Sequence, residues 1–227
     1  MQKRIALRVI SAYRTVSYDA AIILARMPPY HLMAAMKCRM YQKIISSKLN
    51  NNWNRDTEKH IFTEENARLR AEWKLFSERI QASGKFTRDI ILPMWDKWLD
   101  RRHGSVNFRI TQALSGHGVF NYFLHKINKA ENNICQHCEG QNIDTDQHTL
   151  QECTAWMAER EEIMRQVRIG NAEELTLTNL VGKMLDSKEE WQAANQYINK
   201  IIAKKEEKEK MRQQADRRNV RNAGHNH

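Results

Sequence analysis

Residues 135–153 read CQHCEGQNIDTDQHTLQEC and gather three of the chain's four cysteines with two of its nine histidines. Cys135, Cys138, His148 and Cys153 spell Cys-x2-Cys-x9-His-x4-Cys, four soft or borderline donors of the number and type that tetrahedral zinc takes. Two cysteines separated by two residues face one ion from a tight turn, and a His and a Cys five apart are read here as one and a half turns of helix. The intervening EGQNIDTDQ is long enough to bring the halves together. His137 lies between the paired thiolates, so its side chain is expected to point away, and Asp144 or Asp146 is expected to orient His148. The plain alternative is a cluster of free, partly buried thiols. Four protein ligands leave no open position, so the expected ion is structural rather than catalytic.

Outside this segment the sequence reads as mostly α, a helical assembly with a small zinc-knuckle element and a charged C-terminal helical tail. The 227 residues include only eight glycines and three prolines, which leaves long stretches of good helix formers, and 41% hydrophobic content is enough for a buried core. No apolar run approaches the roughly 20 residues needed to span a bilayer, and the N-terminus lacks a secretory hydrophobic block. Thiols clustered in one short segment fit a reducing compartment, nucleus or cytoplasm, better than a disulfide framework. The net charge of +10 is unevenly distributed. Residues 1–110 carry 21 basic and 10 acidic residues, residues 111–187 carry 6 and 11, and residues 188–227 carry 10 and 6. The N-terminal excess is the electrostatic footprint of a polyanion binder, because each neutralised phosphate releases counterions.

Periodicity places the helices. Ile5, Val9, Ala12, Tyr13 and Val16, with Arg4, Arg8 and Arg14 interleaved, predict a basic amphipathic helix, and Ser17 caps a second one that ends at Pro28 and Pro29. A third runs through HLMAAMKCRMYQKII. A longer one spans about 63–82 with the apolar line Ala67, Ala71, Leu75 and Ile80, and Gly84 as its C-cap. An extended entry to Pro93 precedes a short helix carrying Trp95 and Trp98, stopped at Gly104. Two helices flank SGHG, one follows the cysteine segment, a shorter one is capped by Thr178, and the last begins at Ser187 with the stripe Trp191, Ala194, Ile198 and Ile201. The charged end after that stripe reads as a fraying helix followed by disorder. Asp96 with Asp100 reads as a solvated charged face, Cys38 as a plain semi-buried thiol and His117 as a loop histidine, so no catalytic set emerges. No glycine-rich phosphate loop is present.

Four blocks, ALRVISAYRTVSYDAA…LARMPP, GKFTRDIILPMWDKWLDRRHG, FRITQALSGHGVFNYFLHKI and CQHC…DTDQHTLQEC, together resemble the C-terminal region of the reverse-transcriptase polyprotein of non-LTR, LINE-type retrotransposons, most closely in arthropod clades. The resemblance runs from about residue 2 to 210. It implies basic helices like those after the polymerase thumb over 1–50, a helical linker domain over 51–130, a zinc knuckle over 131–160, and C-terminal helices with a charged tail over 161–227. Its Cys-Cys-His-Cys knuckle falls on Cys135, Cys138, His148 and Cys153. The family's Tyr/Phe-x-Asp-Asp motif is absent, so this chain is expected to be a fragment, a truncated copy or a separately expressed remnant that cannot polymerise.

The expected role is therefore nucleic-acid binding, to RNA or DNA, with one structural zinc ion and no membrane contact. Lys3, Arg4, Arg8, Arg14, Lys85, Arg88, Arg101 and Arg102 are the candidate phosphate contacts, with the upstream polymerase domain of the same polyprotein as a further partner. Tyr13, Trp53 and Phe86 are candidate stacking residues, whereas Trp73, Trp95, Trp98, Trp156 and Trp191 are assigned to packing. The alternative is a zinc-stapled helical protein-interaction scaffold with no nucleic-acid contact. A thumb interface lost by truncation is expected to expose Ile22, Ile23 and Leu24.

Overall fold

Helix signals and helix-stopping residues alternate along the chain, and the computed structural model follows them into eleven α-helices and no strand among the described residues. It describes residues 1–79 and 81–223, the side chains of residues 216–223 excepted. The expected helix residue Ile80 and the last four residues of the tail lie outside that set. The chain divides into two compact units, Met1–Trp95 and Asp96–His227.

In the first unit, α1 (Gln2–Val9) packs on α2 (Tyr18–Leu24), α2 on α5 (Lys85–Ile91), and α3 (Tyr30–Leu49) on α4 (Arg55–Glu78). Ser17 caps α2 as expected, accepting from Ala20 N at 3.3 Å. Asn54, however, starts α4 well before the expected residue 63, its side chain accepting from Asp56 N and Thr57 N. The buried line of α4 is Ile61, Glu65, Leu69, Trp73 and Ser77, and the expected Ala67, Ala71 and Leu75 face solvent. A buried glutamate hides that line from a hydrophobicity count. Arg39 Nε at 2.6 Å and Lys43 Nζ at 2.9 Å neutralise Glu65 and hold its carboxyl below the usual carboxylate range.

On α1 the inward residues are Gln2, Ala6, Leu7 and Ile10, so Ile5, Val9 and Tyr13 lie outside the core contrary to expectation. Gln2 donates to Pro28 O and accepts from Tyr18 Oη and Tyr30 N, closing the N-terminus onto the turn before α3. Ile22, Ile23 and Leu24, expected at a lost interface, are instead fully buried. Gly84 does not cap α4. It precedes α5 at φ +69°, where an added Cβ would stand 2.5 Å from Ser17 Oγ. Nor is the approach to Pro93 extended: α5 leads into a 3-10 turn, Leu92–Met94, whose first turn accepts a proline because its missing N–H has no helical partner there.

The second unit is organised by its last helix. α6 (Trp95–Asp100) leads in, and α7 (Phe108–Ser115), α9 (Met157–Val167) and α10 (Leu177–Asp186) pack on α11 (Lys188–Ala223), with α8 (Asn121–Lys126) preceding the cysteine segment. Trp191, Ala194, Ile198 and Ile201 form the expected buried stripe, at most 4% exposed. Thr176, not Thr178, caps α10, accepting from Asn179 N at 3.1 Å. Gly104 at φ +72° lies where a Cβ would meet the Trp191 ring at 2.1 Å, so the Trp191 side chain fills the space of the missing methyl. All five tryptophans assigned to packing are at most 5% exposed.

Candidate metal centre

The segment after α8 turns back on itself through a single antiparallel bridge between Ile134 and Ile143. Cys135 N donates to Asn142 O at 2.9 Å and Asp144 N to Asn133 O at 2.8 Å, so Cys135 and Cys138 stand on a closed loop. His148 begins a π-helical turn, His148–Glu152, closed by Cys153 N donating to His148 O at 2.7 Å. This corrects the expected helical geometry. Residues five apart on an α-helix point about 140° away from each other, whereas the wider turn brings the fifth residue back beneath the first.

The four donor atoms lie within 4.8 Å of one another. Cys135 Sγ is 3.9 Å from Cys153 Sγ, and Cys138 Sγ is 3.5 Å from His148 Nε2. The edges of a tetrahedron around zinc are about 3.8 Å between sulfurs and about 3.6 Å from sulfur to nitrogen, given metal–ligand bonds of about 2.3 and 2.0–2.1 Å. The residues fit a four-coordinate ion, and these four side chains can hold a metal. Cys135, Cys153 and His148 are buried, and Cys138 is partly exposed.

Burial pushes the Cys153 thiol up to about 12, with the neighbouring thiols adding to it, and burial also raises Cys135. Burial acts on Cys138 in the same direction, but a donor from Asn142 and the other thiols outweigh it and lower that group. A divalent ion reverses this logic by binding the thiolate form. His137 N donates toward Cys135 Sγ at 3.5 Å. The His137 ring points away as expected, tilted against Trp156 at 5.0 Å, and burial together with Lys205 and Lys208 depresses it to about 4.

Contrary to expectation, no carboxylate orients His148 by a hydrogen bond among the described residues: Nδ1 has no partner, and Glu152 Oε2 lies 3.5 Å from it. Asp146 is buried, which raises it to about 7 with Asp144 adding to the effect. Asp144 is the hub of the unit. It accepts from Asn121 N at 2.8 Å, from Thr149 Oγ1 at 3.0 Å, and from Lys205 Nζ at 2.6 and 2.8 Å. Both side chains of the Asp144–Lys205 pair are 2% exposed. One carboxylate thus ties the start of α8, the turn bearing His148, and α11. Further bonds run the same way: Tyr197 Oη donates to Leu150 O, Lys208 Nζ to Gln136 O, and Arg160 Nη1 to Cys153 O at 2.6 Å. Neither the hub nor its lysine carries a local sequence signal, since 61 residues separate them.

The eight basic candidates divide by what the fold does with them. Arg88 donates to Ser77 O and Ala82 O, both at 2.8 Å, and Arg101 is buried, stacked 3.8 Å from the Trp98 ring while donating to Trp98 O. Lys85 pairs with Asp89, and Arg102 is exposed in the second unit. Lys3, Arg4, Arg8 and Arg14 line one concavity of about 840 Å³ with Leu7, Ser11 and Ala12, and none of the four has an ion-pair partner among the described residues. Of the candidate stacking residues, Tyr13, Trp53 and Phe86 are all exposed, and Lys48 lies 5.2 Å from the Trp53 ring. Cys38 is exposed rather than semi-buried, and Asp96 and Asp100 are exposed as expected. His117 packs on Phe123 at 4.5 Å. No helix among the described residues is long and apolar enough to cross a membrane.

No protein-family model and no solved structure matches this chain. Among curated proteins it is similar to a retrovirus-related Pol polyprotein from the type-1 retrotransposable element R1 4 of Nasonia vitripennis, 26% identical over 192 residues. The match covers 78% of this chain and 46% of that protein, so the chain spans about half the length of the curated relative it matches.

Proposed function

We propose that this chain is a nucleic-acid-binding part of a retrotransposon Pol polyprotein, of the non-LTR kind, that holds element RNA or target DNA while chemistry is carried out by other parts of the polyprotein. The observation that carries the reading is the α1 concavity: Lys3, Arg4, Arg8 and Arg14 around one hollow, with no carboxylate paired to them. A cation left unpaired by its own fold gains most from a phosphate, because counterion release is not offset by a broken ion pair. The similarity to the R1 polyprotein points the same way. The Cys135, Cys138, His148 and Cys153 set is proposed to hold one zinc ion as a knuckle. Its chemistry there is to fix thiolates and imidazole in place of a larger apolar core, since a full protein ligand set leaves no position for substrate.

A second reading, a zinc-stapled scaffold for protein contacts, is favoured by one observation on α3. Tyr30, Tyr41, Ile45 and Leu49 are all exposed on that helix, Leu49 at 78%, and α3 contains no acidic residue.

Fluorescence anisotropy of labelled RNA and DNA over a salt series separates the two. Four phosphate contacts predict that log Kobs falls against log salt with a slope of about −3 to −4. No binding of either nucleic acid at low salt overturns the first reading and leaves the scaffold.

A further inference from the structure

Resting on the nucleic-acid reading above, we infer that the α1 concavity takes single-stranded nucleic acid in preference to duplex. The argument is the combination of charge and shape. Lys3, Arg4, Arg8 and Arg14 line the hollow together with Leu7 and Ala12, and its volume is about 840 Å³. Leu7 is 9% exposed, so what it offers is a small apolar surface among the four cations, an apolar floor for a ligand in this reading.

A duplex does not use such a floor. Its bases are stacked inside a wide rod whose major groove alone is about 12 Å across, and the surface it brings to a protein is convex and lined with phosphates. Only the cations would touch it. A single strand lays phosphates along cations and turns an unpaired base, with two apolar faces, into the hollow between them. Arginine suits both tasks, since its planar guanidinium pairs with phosphate and also stacks on a base. Beside the cations, α1 presents Ile5 at 39% and Val9 at 56% exposure, apolar surface of no use to a phosphate ladder.

The test uses the zinc-loaded full chain and labelled mixed-sequence oligonucleotides of one length: single-stranded RNA, single-stranded DNA and the corresponding duplexes, at one salt concentration. Inorganic polyphosphate, which offers charge without bases, serves as competitor. Both single strands are expected to bind at least about tenfold more tightly than their duplexes, the gain that one or two stacked bases supply. Polyphosphate of equal charge is expected to compete at least about tenfold less well than a single strand. An RNA strand binding more tightly than DNA of the same sequence assigns the added contact to the 2′-hydroxyl, and equal binding assigns the site to the chemistry the two share; both support the inference. Duplex binding equal to or tighter than single strand overturns it while leaving the nucleic-acid reading intact, as does polyphosphate competing equally. The Arg4→Gln/Arg8→Gln variant, altering two exposed side chains, is expected to lose the single-strand preference; an unchanged preference there overturns the assignment to α1. Failure of every probe to bind at low salt is a failure of the underlying reading.

Discussion

The second unit uses its charges on itself, and the face of α1 in the first unit does not. Around the candidate metal centre Asp144 receives three different donors, Lys205 is buried against it, and Lys208 and Arg160 reach backbone carbonyls. Around the α1 concavity four cations meet no carboxylate among the described residues. A charge count along the sequence sets the acidic cysteine segment apart from the basic N-terminal part, but does not tell a paired charge from an unpaired one. The two regions differ in whether the fold has already supplied the counter-charge, and on the proposed reading that difference separates a zinc-held strut from a surface for a partner.

The largest effect expected is loss of the strut. Removing zinc with a chelator, or Cys153→Ser, is expected to unfold the second unit, since structural zinc contributes an apparent ~10–16 kcal/mol to folding in small zinc domains. Tryptophan emission reports it, because Trp98, Trp156 and Trp191 are all buried in that unit. Emission unchanged by chelation would reduce the centre to a cluster of thiols. Next is Lys205→Met, which leaves the Asp144 carboxylate buried without its cation. A cost of about 3–5 kcal/mol is expected in denaturant unfolding of the zinc-loaded chain. A cost under about 1 kcal/mol would show that Asp144 is held by its other donors alone.

A smaller effect lies in the first unit and is set by pH. Glu65 is depressed by the hydrogen bond from Arg39 and then by that from Lys43. Its contribution to stability is therefore fully present above its ordinary value of 4.5 and is lost as pH falls through its lower folded value. Unfolding midpoints measured from pH 6 downward are expected to drop below about 4.5, with Glu65→Gln less stable at neutral pH and falling less steeply over that range, since Glu72 and Glu159 are also held below their ordinary value. A variant that keeps the wild-type slope would move the acid sensitivity elsewhere. Smallest is the stability change on neutralising the α1 cations, expected within about 0.5 kcal/mol because no internal partner is lost.

The clustering of Cys135, Cys138, His148 and Cys153 was legible in the sequence because donors for one ion must be spaced to reach it, and that requirement leaves a local signature. The turn that joins His148 to Cys153 was not: spacing alone suggested an α-helix, and only the bond from Cys153 N to His148 O shows the wider turn. Helix positions followed from caps such as Ser17 and from breaks such as Pro28, yet the buried faces of α1 and α4 were misassigned. On both helices apolar residues occupy two faces, and the inward one carries a polar residue, Gln2 or Glu65, whose partners are distant in sequence. Charge counts likewise could not separate Arg88 and Arg101, held by backbone carbonyls, from Arg4 and Arg8.

The contrast between used and unused charge is tested most directly by replacing Lys3, Arg4, Arg8 and Arg14 together with glutamine and measuring RNA and DNA binding alongside zinc content and thermal midpoint. The account predicts one bound zinc, an unchanged midpoint, and a log-log salt slope reduced by about 3 as the four contacts vanish. Binding with the slope of the unaltered chain would place the grip on the metal knuckle or elsewhere, and contradict it.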